Sequence, residues 1–223
     1  MTQFQTEIKE LRDEVVAMCR LVHSQLSKGL SSLLNFDKDL AREIVMMERR
    51  VNATELQIDR MCEDILAIYS PVAIDLRFIL AVLKINTNLE RVGDIAEGIA
   101  KLILDTEAPF KQALLDYIQI AEMYGEALLV IEEITKAFEE ENTTIARGIF
   151  KHDEFLDEIN RKANDLLSSY LKEHPEDMQQ ALNILSIIRR LERVGDQAEN
   201  IAEEIIFYVE AKVIKHTNRS EQG

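Results

Sequence analysis

Apolar residues fall at spacings of three and four along almost the whole chain, the period of helices that each bury one stripe. The spacing predicts helices over residues 4–34, 37–69 and 70–104, with Asp37 as N-cap of the second. Ser70 is the expected N-cap of the third, and Pro71 its first helical residue, where a missing N–H costs nothing. Residues 105–110, which include Pro109, read as a short connector. Three further helices are expected over 111–140, 143–171 and 175–211, followed by a polar, frayed tail after Lys215. Helices of this length run about 45 Å at 1.5 Å per residue. Joined by short connectors, they must pack antiparallel as a bundle.

The chain repeats itself. Leu89-Glu90-Arg91-Val92-Gly93-Asp94 recurs letter for letter as Leu191-Glu192-Arg193-Val194-Gly195-Asp196, and the match continues through Ala96/Ala198, Glu97/Glu199, Ile99/Ile201 and Ala100/Ala202. Ile85, Leu89, Val92, Ala96, Ile99 and Ile103 form a seam row whose twin is Ile187, Leu191, Val194, Ala198, Ile201 and Ile205. Each copy lies on the third helix of its half. The expected fold is therefore all-α, two tandem three-helix bundles related by internal duplication. The units span 1–106 and 107–213, with 214–223 as a polar tail.

Composition agrees with long helices. The 223 residues include only 7 Gly and 3 Pro and no Trp, and 47% are hydrophobic, enough for a sizeable core. The net charge of −15, from 41 acids and 26 bases, repels nucleic acid and anionic membranes and suits cations or basic partner surfaces. Cys19 and Cys62 sit in apolar helical patterns, outside any metal-ligand spacing, and read as core thiols of a reducing compartment. The N-terminus has no apolar secretory core. The longest apolar run near the middle, residues 78–83, is far too short to span a bilayer. Direct membrane insertion is not expected.

Both hexapeptides place a Glu and an Asp four apart, so both carboxylates share one helical face. Like charges at that spacing destabilise a helix by a few tenths of a kcal/mol, and the intervening Gly costs about 1 kcal/mol more relative to Ala. Such costs, incurred twice, suggest a crowded site that offsets them. A similar pair lies on the preceding helix of each half: Glu48 with Asn52, and Asp153 with Asp157. Two antiparallel helices can bring each set to one level. The candidate clusters are Glu48, Asn52, Glu90 and Asp94, and Asp153, Asp157, Glu192 and Asp196. Oxygen-rich sets of this kind favour hard cations.

A bland reading stands beside that one. An E-x-x-x-D pair on a helix is ordinarily a solvated face, and Arg91 and Arg193 could pair with those acids. The chain would then be a structural helical adaptor with empty carboxylate faces. Ferritin-like chemistry needs Glu-x-x-His, and none of His23, His152, His174 or His216 follows a Glu by three. His152 adjoins Asp153 and could join the second cluster, but it reads rather as a surface residue at a helix bend. No nucleotide-binding or serine-hydrolase signature occurs. The Arg189, Arg190 and Arg193 group reads as a solvated face, with phosphate or partner contact as its alternative. Met46, Met47 and Met61 read as core filler.

The same residues resemble the PhoU family. That resemblance rests on Glu90/Asp94 and Glu192/Asp196 on the third helices, and on Asp153/Asp157 and Glu48/Asn52 on the second. Pro71-Val72-Ala73-Ile74-Asp75-Leu76-Arg77 and Asn200-Ile201-Ala202-Glu203 extend it across nearly the whole chain. It implies a cytoplasmic, non-enzymatic regulator, often a homodimer. It further implies partnership with the ATPase subunit of a phosphate ABC transporter and with a sensor histidine kinase, restraining the starvation response while phosphate is plentiful. Cofactors implied at the carboxylate signatures are iron, zinc, manganese or magnesium ions. Asn52 departs from the acidic pattern, so the second cluster is the expected tighter site.

Overall fold

The computed structural model describes residues 2–213; the expected frayed tail lies outside them. The described residues form seven α-helices: α1 (Gln3–Asn35), α2 (Lys38–Tyr69), α3 (Ala73–Asp105), α4 (Gln112–Tyr117), α5 (Ile120–Glu139), α6 (Thr143–Glu173) and α7 (Met178–Glu210). Side-chain caps set three of the seven starts. Thr2 and Gln5 form a reciprocal capping box at α1. Asp37 accepts from the Asp39 and Leu40 amides at α2, and Asn142 accepts from Thr144 and Ile145 at α6.

Three boundaries differ from the sequence reading. Ser70 ends α2 rather than starting α3: it sits in the left-handed region at φ 46° and donates its amide to the Leu66 carbonyl. The α3 helix then begins at Ala73, behind Val72, which provides no side-chain cap. The expected helix over 111–140 is broken, because Gln119 adopts φ 55° between α4 and α5. Nothing in the apolar pattern marks that break, since buried residues continue on both sides of it. Finally, Pro175–Asp177 is a 3-10 turn, and α7 proper starts at Met178.

The long helices α1, α2 and α3 pack together in the first half, and α5, α6 and α7 in the second. The halves meet along α3 against α7 and α1 against α5. All twelve residues of the two seam rows are fully buried, so the duplicated stripes face the shared core. Truncating one of them, such as Leu191→Ala, would cost about 2–5 kcal/mol. Phe78 of α3, Phe138 of α5 and Tyr208 of α7 form an aromatic cluster between the halves. The Arg12 guanidinium lies 4.7 Å from the Phe78 centroid and pairs with Glu141 at 2.6 Å. Cys19 and Cys62 are fully buried free thiols, and burial pushes both pKa values up to about 12. Met46 corrects the sequence reading: it is exposed, whereas Met47 and Met61 are half-buried.

Candidate functional site

The two sets of four residues expected to meet lie on α2 with α3 and on α6 with α7. In the first half, one carboxylate oxygen from each of Glu48, Glu90 and Asp94 lies within 4.8 Å of the other two. Oxygen ligands about 2.1–2.4 Å from a hard cation are separated by no more than that. Glu48 on α2 is the inner member, only 5% exposed. Its Oε2 accepts from Gln25 Nε2 of α1 at 3.1 Å. Its Oε1 is buried and makes no hydrogen bond among the described residues. Glu90 is half-buried and Asp94 exposed, so the set grades from core to solvent across the α2–α3 interface. Asn52 is exposed one turn beyond Glu48.

Gly93 makes this approach possible. A Cβ there would lie 2.9 Å from Val51 Cγ1, 3.0 Å from Glu48 Oε2 and 3.3 Å from Gln25 Oε1. The glycine between the paired acids thus admits the facing helix and its carboxylate, the close approach that a side chain would block.

Burial drives the electrostatics. Desolvation pushes the Glu48 pKa up to about 7, opposed by the Gln25 hydrogen bond and reinforced by Asp94, Glu97 and Glu90. Glu90 is raised by desolvation, then by Asp94 and Glu55. Glu55 is raised in turn by desolvation, Asp59 and Asp94. A buried carboxylate with negative neighbours and an unsatisfied oxygen fits a cation, which would reverse these shifts. Nitrogen and sulfur ligands are absent from the set, so a hard ion suits it best.

The second half repeats the plan with different detail. Asp153 on α6 is 2% exposed, and Gly195 of α7 lies directly against it. Glu192 is half-buried. Desolvation raises its pKa, followed by the charges of Asp196 and Asp157, while a hydrogen bond with Asn160 opposes them. All four expected carboxylates therefore belong to the α6–α7 interface, but no three of them converge within 4.8 Å as the first triad does. Rotation of the half-buried and exposed side chains would be required to close this set.

His152 corrects another expectation. It is half-buried rather than a surface residue and turns away from Asp153, toward α5. Its Nδ1 lies 2.5 Å from Glu126 and its Nε2 3.1 Å from Glu133. It therefore fastens α5 to the helix that carries Asp153. Sequence reasoning also passed over Gln25, Glu55 and Asn160. Gln25 had no motif partner, and its role shows only once α1 lies beside α2. Glu97, repeated as Glu199, carried a signal in the duplication itself.

Comparisons with known proteins agree with this architecture. The PhoU domain matches residues 15–103 and 120–205, one copy in each half. The phosphate-specific transport system accessory protein PhoU of Edwardsiella tarda is 31% identical over 214 residues, which cover 96% of this chain and 87% of that protein. The crystal structure of PhoU from Pseudomonas aeruginosa superposes with a TM-score of 0.86 at 30% identity, covering 94% of this chain and 100% of the other. The phosphate transport system regulatory protein PhoU from Streptococcus pneumoniae gives 0.85 at 27% identity, covering 95% and 99%.

Proposed function

The chain belongs to the PhoU family, regulatory accessory proteins rather than enzymes, and from that premise we propose that it restrains the phosphate-starvation response when phosphate is plentiful. Its general role is regulation of phosphate transport. In the finer reading it links the ATPase subunit of a phosphate ABC transporter to a sensor histidine kinase, in the cytoplasm and as a homodimer. Among the described residues no helix is long and apolar enough to cross a membrane, so contact with the transporter would be made through that subunit. The −15 net charge suits basic patches on such partners.

One observation carries the chemistry: the duplicated Glu/Asp pairs of α3 and α7 lie beside one buried carboxylate of the facing helix, Glu48 of α2 and Asp153 of α6, with glycines that let the helices close. Glu48, Glu90 and Asp94, with Asn52 as a neutral oxygen, would hold one cation. Asp153, Asp157, Glu192 and Asp196 would hold another. Iron, manganese, magnesium or zinc are the candidates, with the oxygen-only set favouring the harder ions. A bound cation would neutralise charge that the fold otherwise holds together at a cost. The chain's own residues supply the frame: Gln25 orients Glu48, and His152 ties α6 to α5.

The specific rival is a metal-free structural adaptor. It is favoured by the Glu48 pKa near 7, which lets the buried carboxyl carry a proton in place of a cation. Elemental analysis of the purified protein separates the two. The regulatory role is tested by affinity capture from cells grown with and without phosphate. Recovery of the transporter ATPase and the sensor kinase is expected. Their absence under both conditions would overturn the coupling.

A further inference from the structure

We propose that the cleft between the C-terminal half of α3, the connector and the start of α7 binds inorganic phosphate, with Arg190 as its anchor. The cleft has a volume of about 710 Å³. The sequence suggested that Arg190 belonged to a solvated basic face; instead it is half-buried across the helix interface. Its side chain lies over the bare surface of Gly98 on α3, where a Cβ would be 3.3 Å from Arg190 Cζ. Arg190 Nε is completely buried without a hydrogen-bond partner. Among the described residues, the guanidinium makes no hydrogen bond or ion pair. On a chain with 41 acids, a partly desolvated cation left without a carboxylate calls for an external anion. A guanidinium presents a planar fork of donors that matches an oxyanion in two-pronged fashion.

The rest of the wall narrows the choice. Lys101, exposed on α3, is offset by its own partner Glu97 at 2.5 Å, which leaves Arg190 as the cation that faces the cleft without a carboxylate. Asp177 and Glu176 also line the cleft, but Lys111 holds them at 2.6 and 3.4 Å. That one ammonium offsets one of their two negative charges. Asp105 and Glu107 remain as exposed acceptors in the same wall. A carboxylate beside an anion site favours an oxyanion that still carries a proton to donate. Near neutral pH inorganic phosphate keeps one. Sulfate has none, and a phosphate monoester has mostly lost its last above its second pKa of about 6. The combination of guanidinium and carboxylates thus points to free phosphate.

This site would give the regulatory role its ligand, and it rests on that reading only for its purpose. Loss of partner capture with phosphate binding intact would remove the role and leave the site. The test uses the full chain, stripped of metal with chelator so that no ion can capture the anion. Inorganic phosphate, glycerol 3-phosphate and sulfate are titrated at equal ionic strength near pH 7.5, followed by calorimetry and by ³¹P NMR for the phosphorus probes. Saturable binding of phosphate is expected, with sulfate and the monoester weaker by about tenfold or more. Arg190→Met should weaken phosphate by a similar factor, and Arg190→Lys, which keeps charge but not the fork, should fall between. Melting curves check that each variant is folded; should Met fail to fold, Lys decides. Absence of saturable phosphate binding to the wild type would overturn the proposal. So would unchanged affinity in a folded Arg190 variant, or sulfate bound as tightly as phosphate.

Discussion

Gly195 lies so close to Asp153 that a Cβ at position 195 would stand 2.6 Å from the Asp153 Oδ1 and 3.0 Å from Leu156 Cδ1. Alanine ordinarily favours a helix by about 1 kcal/mol over glycine, but the crowding here costs about 1–3 kcal/mol. Gly195→Ala should therefore destabilise the protein, whereas Gly125→Ala, where a Cβ meets nothing within 4 Å, should stabilise it by up to about 1 kcal/mol. Denaturant unfolding of the two variants checks the opposite signs.

Glu48 predicts a pH dependence in the metal-free protein. Its folded pKa is raised to about 7, above its value in an unfolded chain, so the folded state holds the proton more tightly. The associated stability is present in full below the ordinary glutamate range and is lost as pH rises to about 7. Its ceiling is about 3 kcal/mol, at 1.36 kcal/mol per unit. Glu48→Gln should remove this part of the slope. Melting temperatures of chelator-treated wild type and variant between pH 5 and 8 should diverge, as this pKa requires, with the wild type losing ground at the alkaline end.

Gln25→Leu follows from the same geometry. The change deletes the 3.1 Å hydrogen bond to Glu48 Oε2 and leaves that oxygen buried without its donor, a loss of about 1–3 kcal/mol. Because that bond favours the charged form, its removal should also move the Glu48 titration higher still. Unfolding free energies measured below and above pH 7 should show a larger penalty at the higher pH.

The seam rows and the duplicated acids were legible in the sequence because both are periodic. Leu89 and Leu191, with their neighbours, are buried where a period of 3.6 puts them. The sharing of an interface by Glu90 and Glu48 followed from short connectors and antiparallel helices. What escaped was non-periodic. Ser70 and Pro71 carry a good start signal, yet the chain uses Ser70 for a left-handed stop. Gln119 breaks a helix that its apolar neighbours would continue. Gln25, His152 and Arg190 act on elements distant in sequence, and only the packing of α1 on α2, α5 on α6 and α3 on α7 reveals what they touch.

The two clusters should differ in cation affinity. The first triad converges without rearrangement, but the second set carries four formal charges against three. Ordering a side chain costs about 0.5–1.5 kcal/mol, and affinity in oxygen sites scales with ligand charge. Asp196→Asn should therefore remove the tighter class of sites and Asp94→Asn the weaker. Titration of each metal-free variant, read by calorimetry, orders them.

Equilibrium dialysis of Mn²⁺ against the wild type and the Glu90→Gln/Glu192→Gln double variant is the most direct measurement of whether the duplicated carboxylates form cation sites. Saturable binding in two classes is predicted for the wild type, with both classes lost in a double variant that still melts cooperatively. Equal stoichiometry and affinity in the two proteins would contradict the account and leave the acidic faces as solvated helix surface.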